Sequence, residues 1–165
     1  MSKDSLQSIG FGGGCHWCTE AVFQSLRAVH SVGQGFIRSD TPHESWSEAV
    51  EVTFEPDKIT LEDLLAVHLA THASTSEHKM RGKYRSAVYT FDPDQHAAIQ
   101  SELERLSAET DTPFVTHVLM HRGFKPSDDR FHNYYATDPD RPFCQAYIDP
   151  KLAKLRARFS QLLRP

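Results

Sequence analysis

Cys15 and Cys18 enclose His16 and Trp17 and follow directly on three glycines, Gly12, Gly13 and Gly14. The thiolate, not the thiol, is the nucleophile and the metal ligand in cysteine chemistry. Cys-x-x-Cys spacing therefore supports three readings: a reactive thiol pair, half of a zinc site, or two buried and inert thiols. The glycines free the backbone to turn and to approach a bound molecule closely. If a helix begins at His16, Cys15 stands at its N-terminus, where unsatisfied N–H groups and the dipole stabilise a thiolate. Cys18 then returns to the same face within one turn, and His16 could add positive charge. No second Cys-x-x-Cys is present. A metal site would need Cys144 and some of the 10 histidines.

The surrounding pattern supplies elements to position these groups. Residues 8–12 form a short β-type run. From His16 the residues Ala21, Val22, Phe23, Leu26 and Val29 hold one helix face. Residues 32–38 read as a strand and 39–45 as a loop around Asp40, Thr41 and Pro42. From Trp46 to Phe54 the chain alternates, so Trp46, Glu48, Val50, Val52 and Phe54 share a face. Glu48 is thus a carboxyl group in an apolar row. Thr60 predicts an N-cap, with Asp63 in capping-box position, for a helix carrying Leu61, Leu64, Leu65 and Leu69. A polar loop spans 73–83 and a strand 86–91. Asp92-Pro93 opens a helix to about residue 107, with Ala97, Ile99, Leu103 and Leu106 on its apolar side. A strand at 114–120, a short helix at 128–135 and an amphipathic helix at 151–163 follow.

The first ninety residues run β-α-β-β-α-β. That order predicts an α+β fold, an α/β sandwich with a ferredoxin-like split β-α-β core, a mixed sheet and an irregular C-terminal region. At 165 residues, 39% hydrophobic and 24% charged, the chain is expected to be one domain over 1–165. A net charge of -4 argues against a nucleic-acid partner. No apolar run approaches the roughly 18–20 residues needed to cross a bilayer. The N-terminal residues lack an apolar signal core, so a cytoplasmic, monomeric protein is expected, in a compartment that keeps thiols reduced.

The segment GGGCHWCTEAVFQSL resembles the active-site signature of the peptide methionine sulfoxide reductases of the A type. Four further matches follow in order. Ser47 to Val50 resembles the segment with the family's acid, and residues 52–65 its next strand and helix. Residues 84–89, YRSAVY, resemble its Gln-Tyr-Arg-Ser-Ala segment. His132-Asn133-Tyr134-Tyr135 resembles its His-Gln-x-Tyr segment, followed by Cys144 at the spacing of a recycling cysteine.

The resemblance implies a thiol-dependent reduction of methionine S-sulfoxide, free or in peptides. Cys15 would be the nucleophile. Glu48 would be the acid, kept neutral by burial beside Trp46 and Val50. Tyr135 would hydrogen-bond the sulfoxide oxygen, with Tyr84 a second pocket tyrosine. Trp17 would form an aromatic wall for the S-methyl group, with His16 beside it. Cys144, or Cys18, would resolve the sulfenic acid left on Cys15, and thioredoxin would reduce the disulfide. No cofactor and no metal is implied, and Glu20 is expected to be structural. The sequence departs from the family at four places. His16 replaces a Phe. The loop over 38–46 is short, lacks a Tyr, and has Trp46 where a His is usual. Lys79 and Met80 stand where an acidic segment is usual, and Phe143 replaces a Tyr. Two other functions fit the cysteines alone: a thiol–disulfide oxidoreductase using Cys15 and Cys18, and a Cys/His metal-binding redox module.

Overall fold

The computed structural model describes residues 6–13, 16–72, 84–110, 114–128 and 132–164. Cys15 and the loop at 73–83 lie outside them. The elements are β1 (Gln7–Gly12), α1 (His16–Gln24), β2 (Val29–Arg38), β3 (Ser47–Phe54), α2 (Leu61–Ala70), β4 (Ala87–Thr90), α3 (Pro93–Ala108), β5 (His117–Met120), β6 (Gly123–Pro126), α4 (Tyr134–Thr137) and α5 (Asp149–Arg158). Six strands form one sheet in the order β5-β4-β1-β3-β2-β6.

The order explains itself from the connections. β3 lies between β1 and β2 and is antiparallel to both, and β4 is antiparallel to β1. This is the split β-α-β arrangement that the element order predicts. α3 then carries the chain over to β5, parallel to β4, as a helical crossover must. β6 closes the other edge, antiparallel to β2.

Alternation fixes the faces. Ile9 pairs with Val52, and Phe11 pairs with Val50 and Val88. These side chains pack with Val22 and Phe23 of α1, Leu26 just beyond it, Leu64 and Leu65 of α2, and Ile99 and Leu103 of α3. Phe11 stacks on Phe23 at 4.6 Å between ring centroids. Burial of one such large apolar side chain stabilises by about 1.5–3 kcal/mol. On the opposite face Ile37, Ala49, Ala87 and Tyr89 cluster with Leu119 and Phe124. There Arg85 is buried and satisfied. It donates to the Tyr89 hydroxyl at 3.0 Å, to the Ile37 carbonyl at 3.2 Å and to the Ser45 carbonyl at 3.0 Å.

The helix starts follow their caps. Thr60 accepts from the Asp63 N–H, and the Asp63 carboxylate accepts from the Thr60 N–H, the reciprocal capping box. Asp92 caps α3 by accepting from the Gln95 N–H, with Pro93 in the first turn. Four expectations need correction. α1 ends at Gln24, so Leu26 and Val29, expected on its face, lie beyond it, with Val29 opening β2. Ala97 is exposed, because the buried row of α3 runs Gln95, Ile99, Leu103. The strand expected over 114–120 is confined to His117–Met120, and the short helix expected at 128–135 begins at Tyr134.

The C-terminal arm is less regular. A wide π-type turn, Cys144–Ile148, runs into α5, with the Asp149 N–H donating to the Cys144 carbonyl. Pro150 explains the widening: it has no N–H, and its ring clashes with the carbonyl four residues back in a regular α-helix. The arm is tied down through Arg27 N–H to the Leu162 carbonyl at 2.7 Å and Arg164 N–H to the Ser25 carbonyl at 2.9 Å. Among the described residues no helix is long and apolar enough to cross a membrane.

Candidate active site

β1 ends at Gly12, wedged between β3 and the residues leading into β4. A Cβ there would lie 3.0 Å from the carbonyl oxygens of Glu48 and Arg85. The ring of His72 covers the next glycine, Gly13. Only glycine leaves the backbone room for so close a passage. His72 is held in turn: its Nδ1 meets the His68 carbonyl at 2.5 Å and its Nε2 the Ser86 hydroxyl at 2.8 Å. His68 Nε2 donates to the Gly12 carbonyl at 2.7 Å. His68 and His72 thus brace the glycine turn. The sequence reading missed them, although their four-residue spacing at the end of α2 places them on one side. Among the described residues no group of three or more His, Cys, Asp or Glu could hold a metal ion.

α1 begins at His16. Glu48, at the near end of the buried row of β3, is only 7% exposed. Its Oε1 accepts the backbone N–H of His16 at 3.1 Å and lies 3.6 Å from His16 Nε2. His16 Nδ1 bonds the carbonyl of Gly35 on β2 at 2.8 Å. A carbonyl only accepts, so Nδ1 carries the proton. Phe36, the cross-strand partner of Glu48, meets the His16 ring edge-on at 5.3 Å. His16 and Phe36, rather than Trp46, cover Glu48. Trp46 precedes β3, is 38% exposed and packs against Arg38 and Lys125, each about 5.2 Å from its ring.

Aromatic rings gather on the other side of α1. Trp17 stacks on Tyr134 at 4.3 Å and meets Phe143 edge-on at 5.3 Å. Arg141 lies 4.0 Å over the outer face of Tyr134. Tyr134 was not singled out from the sequence, because only this packing distinguishes it from its neighbour. The Tyr135 hydroxyl donates to the Asp149 carboxylate at 2.7 Å. That bond, reinforced by burial, holds the phenol protonated and pushes its pKa up to about 12. Tyr84 is half-buried beside Arg85, whose N–H donates to the Ser47 hydroxyl at 2.8 Å.

Cys18 and Cys144 lie in one buried cluster with Ala21 and Ile148, and Tyr134, Tyr135 and Phe143 pack against it. Burial pushes the Cys144 thiol above its ordinary value, and its S–H points at the Asp138 carbonyl at 3.6 Å. Glu20 links the two halves of the site. Its carboxylate accepts the backbone N–H groups of Asn133 at 2.9 Å and Tyr134 at 3.1 Å. Burial raises its pKa and these bonds oppose the rise. Asn133 adopts a left-handed conformation at φ 56°, which Asn tolerates better than most residues. Glu20 is structural, as expected, but it secures the C-terminal arm rather than only its own helix.

A buried carboxyl group bonded to the residue after Cys15 and an aromatic cluster packed on two further thiols are the parts of a sulfur-directed oxidoreductase. The family model for peptide methionine sulfoxide reductase matches residues 7–163. A Deinococcus radiodurans protein named peptide methionine sulfoxide reductase MsrA is 36% identical over 170 residues, covering 93% of this chain and 82% of its own. A Ralstonia nicotianae protein of the same name is 35% identical over 185 residues, covering 98% and 95%. The chain belongs to the peptide methionine sulfoxide reductase family. Its fold resembles that of reduced Mxr1 from Saccharomyces cerevisiae, with a TM-score of 0.74 at 16% identity over 84% of this chain and 89% of that one. Mxr1 in complex with Trx2 superposes with a TM-score of 0.64 at 16% identity, over 79% and 86%.

Proposed function

We propose that residues 1–165 form a single, monomeric catalytic unit that reduces the S epimer of methionine sulfoxide, in peptides or free, through Cys15. The observation that carries the site assignment is the buried Glu48 carboxyl group, 3.1 Å from the backbone nitrogen that follows Cys15. An acid so close to the nucleophile's own peptide serves the step that needs one. The Cys15 thiolate attacks the sulfoxide sulfur, forming an S–S bond, and negative charge builds on the sulfoxide oxygen. Protonated Glu48 gives it a proton. The S–O bond and the new S–S bond then break as the oxygen passes to the Cys15 sulfur, so methionine departs and Cys15 is left as a sulfenic acid that carries that proton.

Trp17, stacked with Tyr134, offers the face against which the S-methyl group packs. His16 borders this wall, and Tyr84 and Tyr135 are the hydroxyl groups assigned to the substrate oxygen. Tyr135 must then exchange its bond to Asp149 for one to substrate. Cys144 or Cys18 condenses with the sulfenic acid, releasing water and leaving a disulfide. A thioredoxin dithiol reduces it and becomes oxidised itself. A cytoplasmic setting suits this cycle, since thiols there are kept reduced. No metal or organic cofactor enters any step.

The test is a coupled assay on both epimers of a blocked methionine sulfoxide, with thioredoxin or dithiothreitol as reductant. Turnover of the S epimer alone is expected. Reduction of neither epimer, together with rapid exchange on a peptide disulfide, replaces this reading with disulfide exchange by Cys15 and Cys18.

A further inference from the structure

His16 stands where the family resemblance places a phenylalanine, and both of its ring nitrogens have a destination. Nδ1 is committed to the Gly35 carbonyl at 2.8 Å, so it keeps its proton in every protonation state. Nε2 faces Glu48 Oε1 at 3.6 Å, a few tenths of an ångström beyond a hydrogen bond. The ring is buried, only 6% exposed, and Phe36 closes against its edge. A phenylalanine would fill the same space and offer Glu48 nothing. We propose that His16 is a positioning residue that keeps the acid loaded: Nε2 and the Glu48 carboxyl group share one transferable proton. This rests on the reading of Glu48 as the proton donor.

The proton count follows from the tautomer. With Nδ1–H fixed, one further proton occupies either Glu48, leaving a neutral ring, or Nε2, leaving imidazolium beside carboxylate. The two forms hold the same charge and the same proton. Either form delivers it through Glu48 Oε1 to the sulfoxide oxygen, leaving neutral His16 and ionised Glu48. Disulfide formation releases water and no proton. When an external dithiol then reduces the disulfide, Cys15 returns as a thiol, and its ionisation reloads the pair. The cycle balances with no other acid.

The other groups around the ring do not replace this role. On α1, Glu20 is turned to the Asn133 and Tyr134 N–H groups. On β2, Gly35 presents only its carbonyl and Phe36 only its ring. Gln34 of the same strand is engaged by the Ser127 hydroxyl at 2.7 Å. On β6, Lys125 lies over the far ring of Phe36 at 5.4 Å. From the C-terminal arm, Arg141 is engaged by the Tyr134 ring and the Asp138 carboxylate.

A proton shared by two bases is held to higher pH than a proton on one carboxyl group alone. The test measures single-turnover reduction of S-sulfoxide against pH for wild type, His16→Phe and His16→Asn. Cys15 ionisation is measured separately by alkylation in each. The basic limb of the wild-type profile is expected at least about one pH unit above that of either variant, a tenfold rate difference at a given pH on that limb. Each profile is normalised to its own acidic plateau, so the comparison reads the pH position of the basic limb and not the size of the rate. A second readout needs no activity: the ¹⁵N titration of the His16 ring is expected to move to lower pH in Glu48→Gln. Superimposed basic limbs once Cys15 ionisation is accounted for, or a ring titration unmoved by Glu48→Gln, overturn the proposal. Failure of the underlying reading looks different, since Glu48→Gln would then reduce the S epimer at the wild-type single-turnover rate.

Discussion

The acid half of the site and the thiol-recycling half are built by different means. Glu48, Gly35 and Phe36 lie on paired strands, and their spacing is set by the β2–β3 register. Backbone ladder bonds hold them, and no single side chain decides where they stand. Tyr134, Tyr135 and Cys144 lie on short helical turns that make no sheet bonds. Glu20, Asp149 and the tail contacts at Arg27 and Arg164 hold them. On the proposed reading, proton donation by Glu48 therefore belongs to the sheet frame. The chemistry that follows it, in which thiols must approach one another, sits on an arm that a few polar bonds secure. Local opening falls where few backbone bonds must break.

The largest effect is expected on the rigid side. Glu48→Gln keeps the shape but has no proton to give. Its single-turnover rate is expected to fall about 10²–10⁴-fold, the range for loss of a general acid, with unchanged circular dichroism. An unchanged rate would leave the frame holding a spectator. The next effect lies on the arm. Glu20→Ala removes the acceptor of two partly buried backbone N–H groups and is expected to cost about 1–2 kcal/mol. Urea unfolding measures the loss, and limited proteolysis should cut first within residues 132–164. Unchanged stability and protection would show that the arm is held elsewhere.

The smallest effect concerns the recycling thiol. Burial holds Cys144 above the ordinary thiol value, so at neutral pH it is overwhelmingly the neutral, unreactive form. Raising the pH deprotonates it. In Cys18→Ser, disulfide formation after a single turnover is expected to speed up by at most tenfold per pH unit until the raised pKa is passed. Quenched thiol counting follows it. A rate that is flat from neutral pH upward would mean that a conformational step of the arm, not thiol ionisation, limits recycling.

The same contrast explains what the sequence made legible. The split core followed from alternation at Val50, Val52 and Phe54 and from the caps at Thr60 and Asp92, all local signals. Glu48 could be assigned only through resemblance, since a carboxyl group in a strand is as often solvated as buried. β6 was missed because Gly123–Pro126 offers Phe124 as its single large apolar side chain and ends in a proline, leaving no alternation to read. The π-type turn at Cys144, the bond from Tyr135 to Asp149 and the two nitrogens of His16 depend on partners distant in sequence or on backbone geometry. Composition and spacing carry no trace of these.

The central claim is that Cys15 takes the oxygen. Reduced protein is mixed anaerobically with one equivalent of S-sulfoxide and no external reductant, and methionine and cysteine mass are read after quenching. In Cys18→Ser/Cys144→Ser, one methionine per chain is expected, with a single added oxygen on Cys15. In Cys15→Ser no methionine is expected, because a hydroxyl group is not ionised near neutral pH and does not attack sulfur. Stoichiometric methionine from Cys15→Ser would contradict the account.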